Sequence, residues 1–249
     1  MVSGKYSALS GAIAREQTIA NVSNNLANIN TTGYKKSAVN FESILKGEKQ
    51  ATEAKGINYS RIRENFNDFS AGAVRQTDDP LDLVIHGEGF LKLQGPNGVL
   101  YTKRGDLNID GEGLLTTSNG LPVLDDAGGQ ITIADTDTSV VAFSEEGKIY
   151  TLGEQGARTE VGQLGLVNIA DPAKLKKESD TTFSLADATL ESPDEESRII
   201  QGSLELSNVN MASEMAKMID SYRIFETYHK VLKSYSTIGE QQNELGTLG

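Results

Sequence analysis

Cysteine and tryptophan are both absent from this chain of 249 residues. Without cysteine the chain forms no disulfide, offers no thiolate nucleophile and binds no zinc through sulfur. Aromatic residues make up 6% of the sequence, which argues against a dense aromatic core. The hydrophobic share of 37% is still that of a folded protein, and the length suffices for one large domain or two small ones.

Positive charge is also scarce, because the net charge is −12 and no cluster of lysine or arginine is present. Proteins that bind nucleic acid or anionic membranes need such clusters, so we expect neither partner. The opening MVSGKYSALSGAIAREQ has no long apolar run, and we therefore predict neither a cleaved signal peptide nor a membrane span. Export from the cytoplasm would need another route.

Catalytic patterns are missing as well. His86 and His229 are the only histidines, and no nucleophile-elbow motif accompanies either of them. Two histidines alone make a poor metal site. Paired carboxylates for hydrolysis need not be neighbours in sequence, but nothing singles out such a pair. We therefore predict no catalytic residue, no cofactor and no metal site.

The segment DLNIDGEGLLTT matches the opening of a calcium-binding loop at Asp106, Asn108 and Asp110, with Gly111 following. Its twelfth position is Thr117 instead of the bidentate glutamate, and its flanks have the pattern of strands. A hairpin turn is the favoured interpretation, and calcium binding is the alternative.

Both ends of the chain have helical spacing. Near the N-terminus, Ala12, Ile19 and Leu26 lie seven residues apart, which predicts a coiled-coil-like seam ending at Thr31–Gly33. Near the C-terminus, Asn210 is a candidate N-cap with Glu214 in the first turn. Two apolar stripes with a spacing of seven follow, and their drift predicts a helix that contacts more than one neighbour. Their residues are Met211, Met218, Phe225 and Leu232, then Ile224, Val231, Ile238 and Leu245.

Short apolar runs alternate with turn signals through the middle of the chain, as in GPNG, DGEG, SNG, DAGG, EEGK and LGEQG. The predicted fold class is α+β, with the terminal helices paired as a coiled-coil-like domain and a central, mainly antiparallel all-β domain. We divide the chain at 1–33, 34–80, 81–206 and 207–249. The second of these segments is predicted to be extended chain with a few strands. Two helices covering a sheet within a monomer remain the ordinary alternative.

Three segments resemble the axial proteins of the bacterial flagellar rod and hook. SNNLANINTTGYKKSAVNFE is similar to that family's N-terminal "NNLAN…TTGFK" pattern, with Tyr34 in place of phenylalanine. The central run from His86 to Asp125 resembles its β signature, and LELSNVNMASEMAKMIDSYRIFE resembles its C-terminal signature. The matching central and C-terminal residues are Gly87, Gly89, Phe90, Tyr101, Thr102, Gly105, Leu107, Asp110, Gly113, Leu115, Thr117, Gly120, Val123, Ser207, Asn208, Val209, Asn210, Glu214, Met215, Met218, Ile219, Arg223 and Glu226.

This resemblance implies a structural, non-enzymatic subunit that stacks helically into a tube with itself and other rod subunits. It further implies unfolded export through the flagellar type III apparatus, residence in the basal body, and contacts with hook or ring proteins. Terminal helices of this kind are expected to order fully only on assembly.

We expect the subunit interface to lie on the terminal helices, where apolar residues pack and asparagines fix register. Asparagines that face solvent or the export channel are the alternative. The expected interface residues are Leu9, Ile13, Ile19, Asn24, Asn25, Leu26, Asn28, Ile29, Asn208, Val209, Asn210, Met211, Met215, Met218, Ile219, Tyr222, Phe225 and Leu232.

Within the family, the length and the opening YSALSGAIAREQ are most similar to the proximal rod protein. A distal rod or hook subunit is the first alternative. A β-rich peptidoglycan hydrolase and a calcium-binding adhesin-like module are alternatives from other classes.

Overall fold

The computed structural model describes residues 2–46, 57–133, 140–152, 158–194 and 196–247. The chain divides into two units. The first contains the described residues of Met1–Ala27, Ser37–Asp68 and Asn210–Gly249, and the second contains those of Asn28–Lys36 and Phe69–Val209. Neither of the two described helices carries an apolar stretch long enough to cross a membrane.

The first unit consists of two long helices and a β-hairpin. Helix α1 spans Val2–Ala27 and helix α2 spans Met211–Thr247, and strands β1 (Ser37–Lys46) and β2 (Ile57–Asn67) form the antiparallel hairpin. Helix α1 packs against α2 and against both strands. The unit therefore joins the two ends of the chain through one helix pair.

The start of helix α2 agrees with the sequence prediction, whereas the end of helix α1 does not. Helix α2 begins as predicted, because the Asn210 side chain accepts a hydrogen bond from the Ser213 amide at 3.0 Å. Helix α1 ends at Ala27, before the predicted stop at Thr31–Gly33. Gly33 does have the left-handed conformation expected of it, with φ 66°, but it lies in the turns that follow the helix.

The second unit is built from short antiparallel strands. The strands are β3 (Val74–Gln76), β4 (Leu83–His86), β5 (Phe90–Gly95), β6 (Gly98–Thr102), β7 (Leu107–Ile109), β8 (Leu115–Thr117), β9 (Val140–Phe143), β10 (Lys148–Leu152), β11 (Arg158–Gln163), β12 (Leu166–Ile169), β13 (Leu175–Lys177), β14 (Thr182–Leu185), β15 (Glu191–Pro193), β16 (Arg198–Gln201) and β17 (Ser203–Glu205). A six-stranded sheet has the order β13-β14-β6-β5-β12-β15, and a three-stranded sheet has the order β11-β10-β9. Three strand pairs accompany these sheets, namely β16-β4, β17-β3 and β7-β8.

Two apolar clusters fill this unit. The larger is aliphatic, with Leu91, Leu115 and Ile149 fully buried near its centre. In the smaller, the Phe69 ring meets the rings of Phe90 and Phe183 edge-to-face at centroid distances of 5.2 and 5.1 Å. The few aromatic residues of the chain are thus partly gathered in one place.

The predicted turns connect these strands. GPNG joins β5 to β6, DGEG joins β7 to β8, and EEGK joins β9 to β10. Asp171 caps a single 3-10 turn at Pro172–Lys174, as its Asp-Pro sequence predicts. The predicted turn LGEQG lies outside the described residues after its first residue, as do residues 47–56 of the predicted linker. The α+β fold class, with terminal helices and a central antiparallel β region, is confirmed.

Candidate assembly interface

Helices α1 and α2 run in opposite directions along a shared seam in the first unit. A Cβ atom added to Gly4 would lie 2.5 Å from the Tyr235 hydroxyl oxygen, and one added to Gly11 would lie 2.5 Å from Cζ of Tyr228. Seven residues forward on α1 therefore correspond to seven residues back on α2. The glycines leave the space that the tyrosine rings occupy, so each large side chain packs on a position without one.

Asn25 lies further along this seam, and its contacts explain why an asparagine occupies this position. Its side-chain amide donates to Glu214 Oε2 at 3.2 Å, and both residues are almost fully buried. The same amide donates to the Ser37 carbonyl at 2.9 Å, while Asn25 Oδ1 accepts from the Ser37 amide at 3.0 Å. Asparagine carries a donor and an acceptor on one side chain, so it can pair with both backbone groups at the start of β1.

One side of α2, next to the seam, exposes a row of large apolar residues. Met211, Met215, Ile219 and Tyr222 are each 52–53% exposed, and we call this row the α2 flank. It borders a groove of about 490 Å³ lined by Ile219, Tyr222, Arg223, Phe225, Glu226 and His229. Methionine and tyrosine are common where a protein surface must adapt to a partner.

Two more apolar surfaces lie elsewhere on the helix pair. Ile224, Val231 and Ile238 repeat every seven residues on the other side of the α2 seam, and we call them the opposite flank. Tyr6, Leu9 and Ile13 form the α1 outer face, with exposed fractions of 54%, 43% and 46%. Positions that flank a two-helix seam usually carry charge, whereas this helix pair exposes large apolar residues on three sides.

The structure distributes the predicted interface residues over surface, seam and interior. The exposed residues are Leu9, Ile13, Asn24, Met211, Met215, Ile219 and Tyr222 on the helices and Asn210 at the N-cap of α2. Half-buried are Ile19, Leu26, Asn28, Ile29, Asn208, Met218, Phe225 and Leu232. Asn25 and Val209 are buried.

A buried ion pair joins distant parts of the second unit. Lys35 Nζ lies 2.7 Å from Glu205 Oε1, and the two side chains are 2% and 5% exposed. The ammonium also donates to the carbonyls of Ser70 and Phe69 at 2.9 and 3.4 Å. Glu205 Oε1 accepts from the Gly72 amide at 2.7 Å. A buried charge is tolerated when its hydrogen-bonding capacity is filled in this way.

Asn208 and Gly33 make further contacts around the Lys35–Glu205 ion pair, and we call this region the junction of the second unit. Asn208 Oδ1 accepts from the Lys36 amide at 2.8 Å, and its amide donates to the Ser70 carbonyl at 3.1 Å. Gly33 donates its amide to the Glu205 carbonyl at 2.8 Å, and a Cβ there would lie 2.6 Å from Cα of Arg104. A glycine fits because the backbone approaches closely and φ is positive. The N-terminal, central and C-terminal signature segments thus meet within this unit.

Lys103 is a second buried cation near this junction. Its Nζ donates to the Gly87 carbonyl at 2.6 Å and lies 5.0 Å from the centroid of the Phe90 ring. Burial, reinforced by the nearby charge of Lys35, lowers the pKa of Lys103 to about 8. The amine is therefore still mostly charged at pH 7 and loses its proton at mildly alkaline pH.

The candidate calcium loop is a hairpin turn, as favoured above. Asp110 Oδ1 accepts from the amides of Glu112 and Leu114, both at 2.9 Å, which closes the turn between β7 and β8. The Asp106 carboxylate forms a bidentate pair with Arg104 and accepts from Ser118 at 2.8 Å. Both carboxylates are therefore engaged by the chain itself. Across the described ranges, no three His, Asp or Glu side chains are grouped to hold a metal.

Comparisons with known proteins agree with the three signature segments. Residues 6–35 match the family model "Flagella basal body rod protein", and residues 84–151 match "Flagellar hook protein FlgE/F/G D1 domain". Residues 200–245 match "Flagellar basal body rod FlgEFG protein C-terminal". The flagellar basal-body rod protein FlgF of Caulobacter vibrioides is 34% identical over 96% of each chain. The chain belongs to the flagellar rod and hook protein family.

Other relatives carry two different names at similar identity. FlgG of Bacillus subtilis is 29% identical over 96% of this chain and 97% of its own length. FlgF of Rhizobium meliloti is 30% identical over 100% of this chain and 99% of its own. Both are named flagellar basal-body rod proteins. The family is structural, and the matches give the hydrolase alternative no support.

Sequence reasoning did not find the most buried polar contacts. Lys35 and Glu205 are 170 residues apart, and only their positions within the signature segments marked them. The spacing of seven between Gly4 and Gly11, repeated between Tyr228 and Tyr235, was a visible signal for the seam. The predicted seam at Ala12, Ile19 and Leu26 is displaced by one position from the glycines that contact α2.

Replacing Glu205 by Gln should destabilise the protein by about 3–5 kcal/mol in urea denaturation, because Lys35 would stay buried without its counter-charge. The double variant Lys35→Met, Glu205→Leu should lose clearly less than the sum of the single variants. The matched control is Lys176→Met, which breaks an exposed pair with Glu178 at 3.5 Å and should cost under about 0.5 kcal/mol. Equal free energies of unfolding for Glu205→Gln and the control would show that the buried charge of Lys35 does not need Glu205 as its counter-charge.

The stability of the protein should also depend on the protonation of Lys103. Folding lowers its pKa from 10.5 to about 8, so the unfolded chain binds the proton more tightly. The free energy of unfolding should therefore rise between pH 8 and 10.5, by an amount approaching roughly 3 kcal/mol. The difference between wild type and Lys103→Met, measured by denaturation across this range, isolates the effect. A difference that stays constant with pH would contradict it.

Proposed function

We propose that this protein is a structural subunit of the bacterial flagellar basal-body rod. The observation that carries the proposal is the set of exposed apolar surfaces on a helix pair that joins both chain ends. A monomer leaves these side chains in water, where each costs free energy that contact with a neighbour recovers. Full-length relatives named as rod proteins support the same role.

The three surfaces support assembly with several neighbours at once. The α2 flank, the opposite flank and the α1 outer face point in different directions around the helix pair, so one partner helix cannot cover them all. Contacts between unlike surfaces generate open helical assemblies when they do not close into a ring. Such a rod transmits torque because each subunit is held by many contacts. We propose that the remaining predicted interface residues act indirectly, by holding together the helix pair that exposes these three surfaces.

Within the rod we place the subunit in the proximal segment, with a distal rod or hook position as the alternative. The chain and its named rod relatives match over nearly their whole lengths. The opening YSALSGAIAREQ, with its similarity to proximal rod proteins, carries the choice within the family. Neighbouring rod subunits are the proposed partners, and the hook and the surrounding rings supply further ones.

We also infer export through the flagellar type III apparatus to a rod that spans the periplasm. An exported chain must unfold easily, and the seam supports this. Gly4 and Gly11 each cost about 1 kcal/mol of helix propensity relative to alanine. Weakly paired ends also limit premature assembly inside the cell.

Deletion of the gene tests the position in the rod. Electron microscopy of basal bodies from the deletion strain should show structures that lack the distal rod and the hook. A rod that stops just short of the hook would instead assign the subunit to the distal segment. Complete, working flagella would contradict a rod role for this chain.

Charge placed on the α2 flank tests the assembly role. In the deletion strain, Met215→Glu with Ile219→Glu should abolish rod completion, since assembly would bury two unpaired carboxylates. The control Ser234→Glu changes an exposed polar position of the same helix and should restore motility. The amount of exported subunit, measured by immunoblot, separates assembly defects from export defects. Normal motility of the double variant would exclude the α2 flank from the interface.

A further inference from the structure

Helix α1, the start of helix α2 and the β1–β2 hairpin are joined by one buried side chain, that of Asn25. Its amide donates to Glu214 Oε2 of α2 at 3.2 Å and to the Ser37 carbonyl of β1 at 2.9 Å. Its oxygen accepts from the Ser37 amide at 3.0 Å, and a longer donation to Asn21 Oδ1, at 3.4 Å, stays within α1. One residue of α1 therefore binds α2 and the hairpin at the same time.

The contacts of Asn25 reach both strands of the hairpin. Ser37 is the first residue of β1 and pairs with Asn67, the last residue of β2. The Ser37 hydroxyl donates to Asn67 Oδ1 at 2.9 Å. We call Ser37 and Asn67 the hairpin base. A path of hydrogen bonds thus runs from Glu214 of α2 through Asn25 to the hairpin base.

The hairpin needs this support because it is only two strands wide. Strands of 10 and 11 residues form a two-stranded sheet, and no third strand of the described chain pairs with either of them. A two-stranded hairpin on its own is marginally stable at best in water. Its stability must therefore come from α1, which packs against both strands, and from the bonds that Asn25 makes to its base.

Helix α2 determines how strong those bonds are. Asn25 and Glu214 are each 1% exposed, and hydrogen bonds are stronger where water is excluded. Without α2, the Asn25 amide would lose Glu214 and would meet water, which competes for both of its bonds to Ser37. Helix α1 would also be a poorer support, because most helical stability in proteins comes from packing against other elements.

We propose that the β1–β2 hairpin forms only when α1 and α2 are paired, and that Asn25 couples the two events. A chain whose ends are unpaired then has no ordered hairpin, so the long open edges of β1 and β2 are not presented to other chains. Helix pairing makes the hairpin available at the same time as the exposed surfaces of the helices. The inference concerns the folding of one chain, so its failure would leave the proposed rod function standing.

Hydrogen exchange followed by mass spectrometry on the purified full-length chain tests the coupling. Exchange is followed at residues 37–40 and 65–67 of the hairpin, at 211–222 of α2, and in β5 as a reference for the second unit. Trimethylamine N-oxide, which favours folded states, is added in steps. We expect the hairpin and the start of α2 to gain protection at the same concentration. Protection of one region while the other exchanges freely would overturn the proposal.

A substitution on α2 should be felt in the hairpin. Glu214→Ala removes the bond to Asn25 and keeps a good helix former, and it should speed exchange at residues 37–40 about tenfold or more. The matched control Glu226→Ala breaks an exposed pair with Lys230 at 2.9 Å on the same helix and should change that rate less than about twofold. Glu214→Gln keeps an acceptor oxygen and should retain most of the protection.

Asn25→Leu shows whether the effect passes through Asn25. In this background the hairpin should already exchange fast, and Glu214→Ala should add less than about twofold. Unchanged hairpin exchange in Glu214→Ala, or the same acceleration with and without Asn25, would overturn the proposal. If neither region is protected in the free chain, the same variants are compared in isolated basal bodies, where the same results support or overturn it.

Discussion

The antiparallel pairing of α1 with α2 is the contact on which the rest of this structure depends. Glycines on one helix accept tyrosine rings from the other, and Asn25 binds both Glu214 and the first residue of the hairpin. The seam uses small and polar residues at several positions, so a number of large apolar side chains of both helices stay at the surface. A helix pair that used those side chains for its own core would have nothing left with which to bind neighbours.

The second unit has an analogous junction built from charge. Lys35 comes from the N-terminal signature segment, Glu205 from the C-terminal one, and Asn208 joins the same two regions. Buried pairs of this kind add little net stability, but losing one partner is costly, which makes the arrangement specific. The Asn25–Glu214 hydrogen bond in the first unit and the Lys35–Glu205 ion pair in the second thus each join an N-terminal part of the chain to a C-terminal part.

Local features were predictable from sequence, whereas long-range polar contacts were not. The Asn210 cap and the hairpin turn at Asp110 depend on residues two to four positions away, and both were predicted. Asn25 was expected at a subunit interface, yet its amide binds groups 12 and 189 residues away in the same chain. A single sequence contains no information on which distant acceptor a side-chain amide meets. The end of α1 was misplaced for a related reason, because Gly33 serves a turn held by the distant Glu205 carbonyl.

A reconstruction of the assembled rod at side-chain resolution tests the central claim most directly. The measured quantity is the accessible surface of Met215, Ile219, Tyr222 and Tyr6 in the assembly, compared with their values of 52–54% in the single chain. We expect each to be buried against a neighbouring subunit. If they remained exposed in a complete rod, the helix pair would not be the assembly surface, and the contacts between subunits would have to come from the β unit.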